Sequence, residues 1–155
     1  RGETASGKPA FRAAYRRRRC LILADGFYEW RAEPGERTKT PMYIRMVSGQ
    51  PFAFAGLWEA WGPDPAAAEE PEAAPLLTCT IITTRPNALL APIHNRMPVI
   101  LPRQAYDRWL DPGEVDAGAL DDLLAPYPAQ EMTAYPVSRY VNSPGNDSPA
   151  CIVAA

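Results

Sequence analysis

Apolar residues along this chain fall into short runs that are separated by Pro, Gly and charged residues. Runs of this length predict β-strands when they are rich in β-branched and aromatic residues and end at turn residues. Because brief turns join consecutive runs, antiparallel or mixed pairing is favoured. The predicted strands are residues 20–24, 27–31, 41–47, 51–61, 77–84, a strand that follows the loop at His94 and ends at Leu101, and 131–141.

Helical periodicity is confined to short segments, the first of which lies near the start of the chain. There Lys8, Arg12 and Arg16 recur four residues apart and form a basic stripe. Phe11 and Tyr15 lie between these cations and are predicted to face inward. The predicted helical segments are residues 9–18, 87–91, 104–110 and 117–125.

Strands dominate this pattern, and the helices are short. We predict an α+β fold, a curved mixed or antiparallel sheet or partly closed barrel with short peripheral helices. A length of 155 residues suits one domain. The acidic residues 62–75, rich in Pro and Ala, predict a poorly ordered loop inserted between strands. Because the chain opens with Arg1 rather than Met, we interpret residues 1–155 as a single domain that lacks an N-terminal segment.

Nothing in the sequence indicates a membrane, a metal or a cofactor. No apolar run approaches the roughly 20 residues of a membrane span, and no signal peptide is evident. We expect a cytoplasmic protein, nucleoid-associated if it is bacterial, and we also expect a monomer. Three cysteines and a single histidine match no zinc spacing or disulfide framework, so no metal site is predicted. The cysteines, predicted to be small buried hydrophobes, are Cys20, Cys79 and Cys151.

Charge is distributed unevenly along the chain. Residues 1–50 carry eleven Lys and Arg against five Asp and Glu, whereas residues 51–155 carry five against thirteen. The basic first third is consistent with nucleic-acid binding. The run Arg16–Arg19 is either a phosphate-binding patch, with Arg16 and Arg17 as contacts, or a solvated helix end. Exposed tryptophans near such a patch would favour a single strand, because bases stack on aromatic faces.

Two residues are candidates for acid–base chemistry. In the predicted strand 27–31, Phe27 and Glu29 alternate with Tyr28 and Trp30, so the two pairs occupy opposite faces. If the Phe27 face is interior, Glu29 is a partly buried carboxylate with a raised pKa; otherwise it is a solvated residue. His94 lies in a loop flanked by two prolines, which is either a structural position or a rigid site for a group that titrates near neutral pH.

Several runs of the chain, taken in order, resemble a known family. The most specific are GFYEW at residues 26–30 and HNRMP at residues 94–98. Together the runs resemble the SRAP family, first labelled SOS-response-associated peptidases, over nearly the whole chain. The runs are RGET at 1–4, RRRCLILADGFYEW at 17–30, FAFAGLWEAW at 52–61, TTRPNALLAPIHNRMPVIL at 83–101, YDRWLDP at 106–112 and PVSRYVNSPGNDSP at 136–149.

The resemblance implies a protein that binds single-stranded DNA and reacts with the ring-opened aldehyde of an abasic site. In such proteins the α-amine of an N-terminal cysteine forms an imine, and the thiol closes a thiazolidine ring. The resemblance makes Glu29 the proton shuttle, and makes His94 the group near the sugar hydroxyl or leaving phosphate that helps strand incision or crosslink reversal. Arg1 matches the arginine of an Asn-Ala-Arg-x-Glu motif and should hold phosphate, while Glu3 matches its structural glutamate. The positions expected to line the DNA groove are Trp30, Thr83 and Arg96.

The family's N-terminal cysteine would precede Arg1, and none of the three cysteines offers both a free α-amine and a thiol. We therefore expect residues 1–155 alone to form no covalent adduct with abasic DNA. Three functions remain open: an abasic-site-processing enzyme with lyase activity, a module that only binds single strands, and a peptidase (a hydrolase) that cleaves its own N-terminus.

Overall fold

The computed structural model describes residues 1–62, 75–116 and 118–155, and its α+β architecture confirms the predicted fold class. Short helices surround antiparallel sheets, and no closed barrel forms among the described strands. The helices are α1 (Gly2–Ala5), α2 (Pro9–Arg17) and α3 (Tyr106–Leu110), and the 3₁₀ turns are Arg103–Ala105, Asp121–Leu124, Ala129–Glu131, Arg139–Asn142 and Pro149–Ile152. The strands are β1 (Arg19–Ala24), β2 (Phe27–Arg31), β3 (Thr40–Met46), β4 (Phe52–Trp61), β5 (Leu76–Ile81), β6 (Thr83–Thr84), β7 (Met97–Pro98), β8 (Ile100–Leu101) and β9 (Met132–Pro136).

Two larger sheets and one two-stranded sheet organise the chain. The first sheet has the order β1-β4-β5, with β8 also paired to β4. The second has the order β2-β3-β9, and β6 pairs with β7. Among the described strands β2 pairs only with β3, so β2 is an edge strand with one side open.

Strand β4 connects the two hydrophobic cores because successive side chains on a strand point to opposite faces. Ala55 and Leu57 belong to a core that α2 and α3 cover, with Tyr15 and Trp109 at its centre. Phe52 and Phe54 belong to a second core, which also contains residues of β3, β8 and β9. That residues 1–155 form a single domain stays a prediction.

The turn between β1 and β2 follows the Asp25-Gly26 signal in the sequence. A Cβ atom at Gly26 would lie 2.3 Å from the ring of Tyr43, which pairs with Tyr28 across the hairpin. Any side chain at this position would clash with Tyr43 on β3, so the turn requires glycine.

Several expectations were wrong in detail. Phe11 is 38% exposed and Cys79 is also exposed, so neither is a core residue. The strand predicted at 131–141 ends at Pro136, because Ser138 caps the 3₁₀ turn that follows. The side-chain oxygen of Ser138 accepts a hydrogen bond from the Tyr140 N–H. The predicted 117–125 helix is a 3₁₀ turn at Asp121–Leu124. The acidic loop at 62–75 lies almost entirely outside the described residues.

Arg19 has a role that the run of four arginines concealed. Its side chain is buried, and its guanidinium donates to the carbonyls of Tyr15, Arg16, Trp109, Asp111 and Gly113. Four of these carbonyls lie at the C-terminal ends of α2 and α3, where helix carbonyls have no partner within the helix. Arg19 therefore caps two helices at once, and it is not available to a phosphate.

Candidate active site

Glu29 and His94 meet although 65 residues separate them in the sequence. The His94 Nδ1 atom lies 3.8 Å from the Glu29 Oε1 atom. Glu29 faces inward because Phe27, two residues before it on β2, packs edge-to-face against Phe54 with ring centroids 5.7 Å apart. Of the two alternatives for this strand, the interior Phe27 face is the one observed.

Burial controls the ionisation of Glu29, whose side chain is 21% exposed. Desolvation raises the pKa of the Glu29 carboxyl above its usual value, while electrostatic interactions with the His94 and Lys39 side chains partly oppose that increase. A carboxyl group with a raised pKa is protonated more often than a solvated one, and its carboxylate is a stronger base. The site therefore places a carboxyl group suited to proton transfer beside an imidazole.

The loop that carries His94 is fixed on both sides. The His94 backbone N–H donates to the Leu90 carbonyl at 2.8 Å, and Leu90 is fully buried. Asn87 closes the preceding turn, with its Oδ1 accepting from the Leu90 N–H at 3.0 Å. The Arg96 backbone N–H donates to His94 Nδ1 at 3.2 Å. The Arg96 carbonyl oxygen lies 3.1 Å from the same Nδ1 atom, so a neutral imidazole either accepts from the Arg96 N–H, with its proton on Nε2, or donates to the Arg96 carbonyl, with its proton on Nδ1. In the first tautomer Nε2–H is available to a substrate oxygen.

Arg96 ties this loop to α1. Its guanidinium forms a two-point ion pair with the Glu3 carboxylate, at 2.7 Å and 2.9 Å, and also donates to the Thr83 carbonyl at 2.7 Å. The ion pair with Arg96 lowers the pKa of Glu3 to about 2. Since these donors are occupied, Arg96 positions the His94 loop in this structure, and contact with DNA through Arg96 stays a prediction.

Glu3→Gln is expected to destabilise the protein by less than about 1 kcal/mol at neutral pH, because the pair is partly exposed. The pKa of Glu3 is lower in the folded chain than in the unfolded one, so the stabilisation is complete above about pH 4.5 and is lost as the pH falls towards 2. Thermal unfolding at several pH values measures this. Glu36→Gln, on the exposed β2–β3 hairpin, is the control, and a difference from native that persists at pH 2 would contradict the assignment.

The other predicted DNA-binding residues are distributed over several surfaces. Thr83 lies beside the Arg96 guanidinium, and Arg1 is exposed at the start of α1, two residues before Glu3. Trp30 occupies the opposite face of β2 from Glu29, and its indole N–H donates to the Asn142 Oδ1 atom at 2.8 Å. A strand that contacts both Glu29 and Trp30 must therefore pass the open edge of β2.

Arg16 and Arg17 both form ion pairs with Glu114, and the neighbouring Arg18 pairs with Glu59. The charge of this predicted patch is thus largely compensated within the protein. A role for Arg16 and Arg17 in DNA binding stays a prediction.

Sequence reasoning missed Lys39 and the 3₁₀ turn at 139–142. Lys39 lies at the end of the β2–β3 hairpin loop, and its charge acts on Glu29. Lys39 comes close to Glu29 because of the register of the hairpin, in which Arg31 lies opposite Thr40 and Glu29 lies opposite Met42. A lysine ten residues after a carboxylate, across a predicted hairpin, is the signal that could have identified it.

Within residues 1–62, 75–116 and 118–155, no group of three or more Asp, Glu, His or Cys side chains could hold a metal ion. The same residues include no helix long and apolar enough to cross a membrane. A groove of about 960 Å³ opens elsewhere, and none of the predicted site residues lines it. Arg103 is one of the exposed residues at its margin.

Known proteins resemble this chain in both sequence and structure. The abasic site processing protein YoqW of Bacillus subtilis is 51% identical over 153 residues, which is 98% of this chain and 64% of the relative. The abasic site processing protein HMCES of Gallus gallus is 33% identical, over 99% of this chain and 48% of the relative. The chain thus spans less than two thirds of the length of either relative.

Two crystal structures have the same fold. A protein from Bacteroides thetaiotaomicron superposes with a TM-score of 0.84 at 29% identity, covering 99% of this chain and 64% of that one. A protein from Bordetella bronchiseptica superposes with a TM-score of 0.73 at 30% identity, covering 89% and 64%. The family profile described as SOS response associated peptidase (SRAP) matches residues 1–144. With a profile match of that extent and relatives of such identity, the chain belongs to the SRAP family.

Proposed function

We propose that the protein processes abasic sites in single-stranded DNA, with Glu29 and His94 as its acid–base pair. The observation that carries the proposal is the 3.8 Å approach of the two side chains from unrelated parts of the sequence. The printed names of the relatives from Bacillus subtilis and Gallus gallus support the substrate class.

The proposed chemistry needs a group that both gives and accepts a proton. When an amine attacks the ring-opened aldehyde of an abasic site, the carbinolamine oxygen gains a proton and leaves as water, and the nitrogen gives up a proton. The protonated Glu29 supplies the first proton, and the resulting carboxylate accepts the second. Its raised pKa favours the protonated form relative to a solvated glutamate and makes the carboxylate a stronger base.

In this proposal His94 acts on the sugar–phosphate side of the lesion. In the tautomer whose Nδ1 accepts from the Arg96 backbone N–H, the His94 Nε2–H donates to the sugar hydroxyl or the leaving phosphate oxygen. Arg1 and Thr83, beside the same cleft, hold flanking phosphate groups. We propose no metal or cofactor in this reaction.

The test uses the protein from its complete reading frame, because the chain spans 64% of the Bacillus subtilis relative. It is incubated with a single-stranded oligonucleotide that contains one abasic site, or with the intact oligonucleotide. A covalent product or strand incision that appears only with the abasic oligonucleotide, on a denaturing gel without borohydride, supports the proposal. Equal binding to both oligonucleotides with no product would favour a binding module.

His94→Gln is expected to leave initial capture within about threefold of native and to slow incision or release about tenfold, because imidazole acid catalysis acts after the imine forms. Single-turnover time courses on a denaturing gel separate the two steps. Asn95→Gln, in the same loop, is the control. If His94→Gln abolished capture instead, His94 would belong to the imine-forming step.

A further inference from the structure

We infer that the 3₁₀ turn Arg139–Asn142 and the adjoining end of the β2–β3 hairpin form a contact surface for the nucleotides that flank the lesion in a single DNA strand. The inference rests on the proposed function and deepens it, since it assigns the path of the strand outside the Glu29–His94 cleft. This 139–142 surface consists of Trp30, Lys39, Arg139, Tyr140 and Asn142.

Two side-chain hydrogen bonds join the turn to the hairpin. Asn142 Oδ1 accepts from the Trp30 indole at 2.8 Å, and the Arg139 guanidinium donates to Thr38 Oγ1 at 2.7 Å. The first bond satisfies the only polar atom of the indole and fixes the orientation of the ring. What Trp30 offers to a ligand is then the partly exposed face of its ring.

The turn itself is held rigidly. Ser138 Oγ accepts from the Tyr140 backbone N–H at 3.2 Å, and the Asn146 side chain donates to the Tyr140 carbonyl at 2.6 Å. The Tyr140 side chain is 45% exposed on this fixed backbone. The surface therefore presents two aromatic side chains, Trp30 and Tyr140, and stacking on such faces requires bases that are not paired in a duplex.

The same turn and the same end of the hairpin also carry two cations, Arg139 and Lys39. In the described part of the chain, neither Lys39 nor Arg139 forms an ion pair with a carboxylate, in contrast to Arg16, Arg17 and Arg18. Arg139 uses one nitrogen on Thr38, so its other donors stay available for phosphate. Lys39 connects this surface to the catalytic carboxylate, because its charge acts on Glu29.

Aromatic faces alternating with cations are the chemistry that binds single-stranded nucleic acid. An acidic peptide would use the cations but would leave the two rings without a partner. The open edge of β2 separates the cleft from the 139–142 surface, so one continuous strand can reach both.

The test measures equilibrium binding of a fluorescently labelled, undamaged single-stranded oligonucleotide to the protein from its complete reading frame. Arg139→Glu is expected to weaken binding about tenfold and to lower the salt dependence by about one unit of slope. Tyr140→Ala is expected to weaken it about fivefold or more, whereas Tyr140→Phe, which keeps the ring, stays within about twofold. Arg103→Glu makes the same charge change at the separate groove and is expected to stay within about twofold.

The outcomes separate this inference from the proposed function. Equal weakening by Arg139→Glu and Arg103→Glu, or equal binding by the two Tyr140 variants, overturns the 139–142 surface even if abasic DNA is processed normally. A native protein that shows the expected binding pattern but never reacts with abasic DNA upholds the surface and refutes the processing function. Absence of single-strand binding by the native protein overturns the surface. Thermal unfolding confirms that each variant is folded, and Arg139→Lys, which keeps the charge, is expected to bind within about threefold of native.

Discussion

Glu29→Gln is expected to slow the reaction with abasic DNA about 100-fold or more, because the amide can neither give nor accept the proton that imine formation requires. The magnitude follows from the usual contribution of one positioned acid–base group. The measurement is the single-turnover rate of product formation at saturating single-stranded abasic oligonucleotide. Since glutamine keeps the shape of the side chain, binding of undamaged DNA is expected to stay within about threefold.

The pH dependence gives this prediction a second readout. Because burial raises the pKa of Glu29 above that of an unfolded glutamate, the folded chain carries an electrostatic cost at neutral pH that is absent below about pH 4.5. Glu29→Gln removes that cost. The variant is therefore expected to unfold at the same or a higher temperature than native at pH 7, with the gain disappearing as the pH falls below about 4.5.

Glu36→Gln supplies the matched control, since it makes the same change on an exposed part of the β2–β3 hairpin. It is expected to leave both the rate and the unfolding temperature unchanged. A Glu29→Gln variant that reacts within threefold of native would remove Glu29 from the proton transfer. A variant that loses activity together with its cooperative unfolding transition would make Glu29 a structural residue.

Strand patterns were the best predicted part of this protein. The alternation in residues 27–31 and the turn at Asp25-Gly26 depend on neighbours in sequence, and both were recovered. The strand predicted at 131–141 was too long, because the Ser138 cap starts a 3₁₀ turn at Arg139. Val137, just before the cap, forms only an isolated bridge with Ala154. Apolar alternation records burial and cannot register such a cap.

The members of the candidate site were named from family motifs, and local patterns left their packing open. Alternation left open which face of β2 is interior, since Phe27 and Tyr28 are equally suited to a core. The answer depends on β4, whose Phe52 and Phe54 contact Phe27 across the second core. Contacts between distant segments of this kind are also what brought Arg96 to Glu3, a pairing that no local pattern predicts.

The arginine run illustrates why charge alone misleads. Four consecutive arginines indicate a basic patch, yet Arg19 lies inside the protein while Arg16 and Arg17 share Glu114. The difference arises at the junction of α2 and β1, where Arg19 becomes the first residue of a strand and points beneath the two helix ends. Composition reports how many cations are present but not how many face solvent.

Arg19→Met is expected to destabilise the protein by about 3 kcal/mol or more. Methionine keeps much of the apolar stem but leaves five backbone carbonyls without their donor, and hydrogen bonds to a charged group contribute roughly 1.5–3 kcal/mol each when buried. A loss of that size lowers the unfolding temperature by about 10 °C in a chain of this length. Urea unfolding followed by tryptophan fluorescence measures it, since Trp109 lies against the affected carbonyls.

Two further variants distinguish this capping role from a general effect of charge. Arg12→Met removes one exposed cation from α2 and is expected to change stability by less than about 0.5 kcal/mol. Arg19→Lys keeps the charge but has three donors on one nitrogen instead of a planar fork, so it cannot reach carbonyls at both helix ends and is expected to lose about half as much as Arg19→Met. If Arg19→Lys were as stable as native, charge rather than the shared cap of α2 and α3 would explain the role of Arg19. If Arg19→Met were as stable as Arg12→Met, the buried hydrogen bonds would contribute nothing to folding.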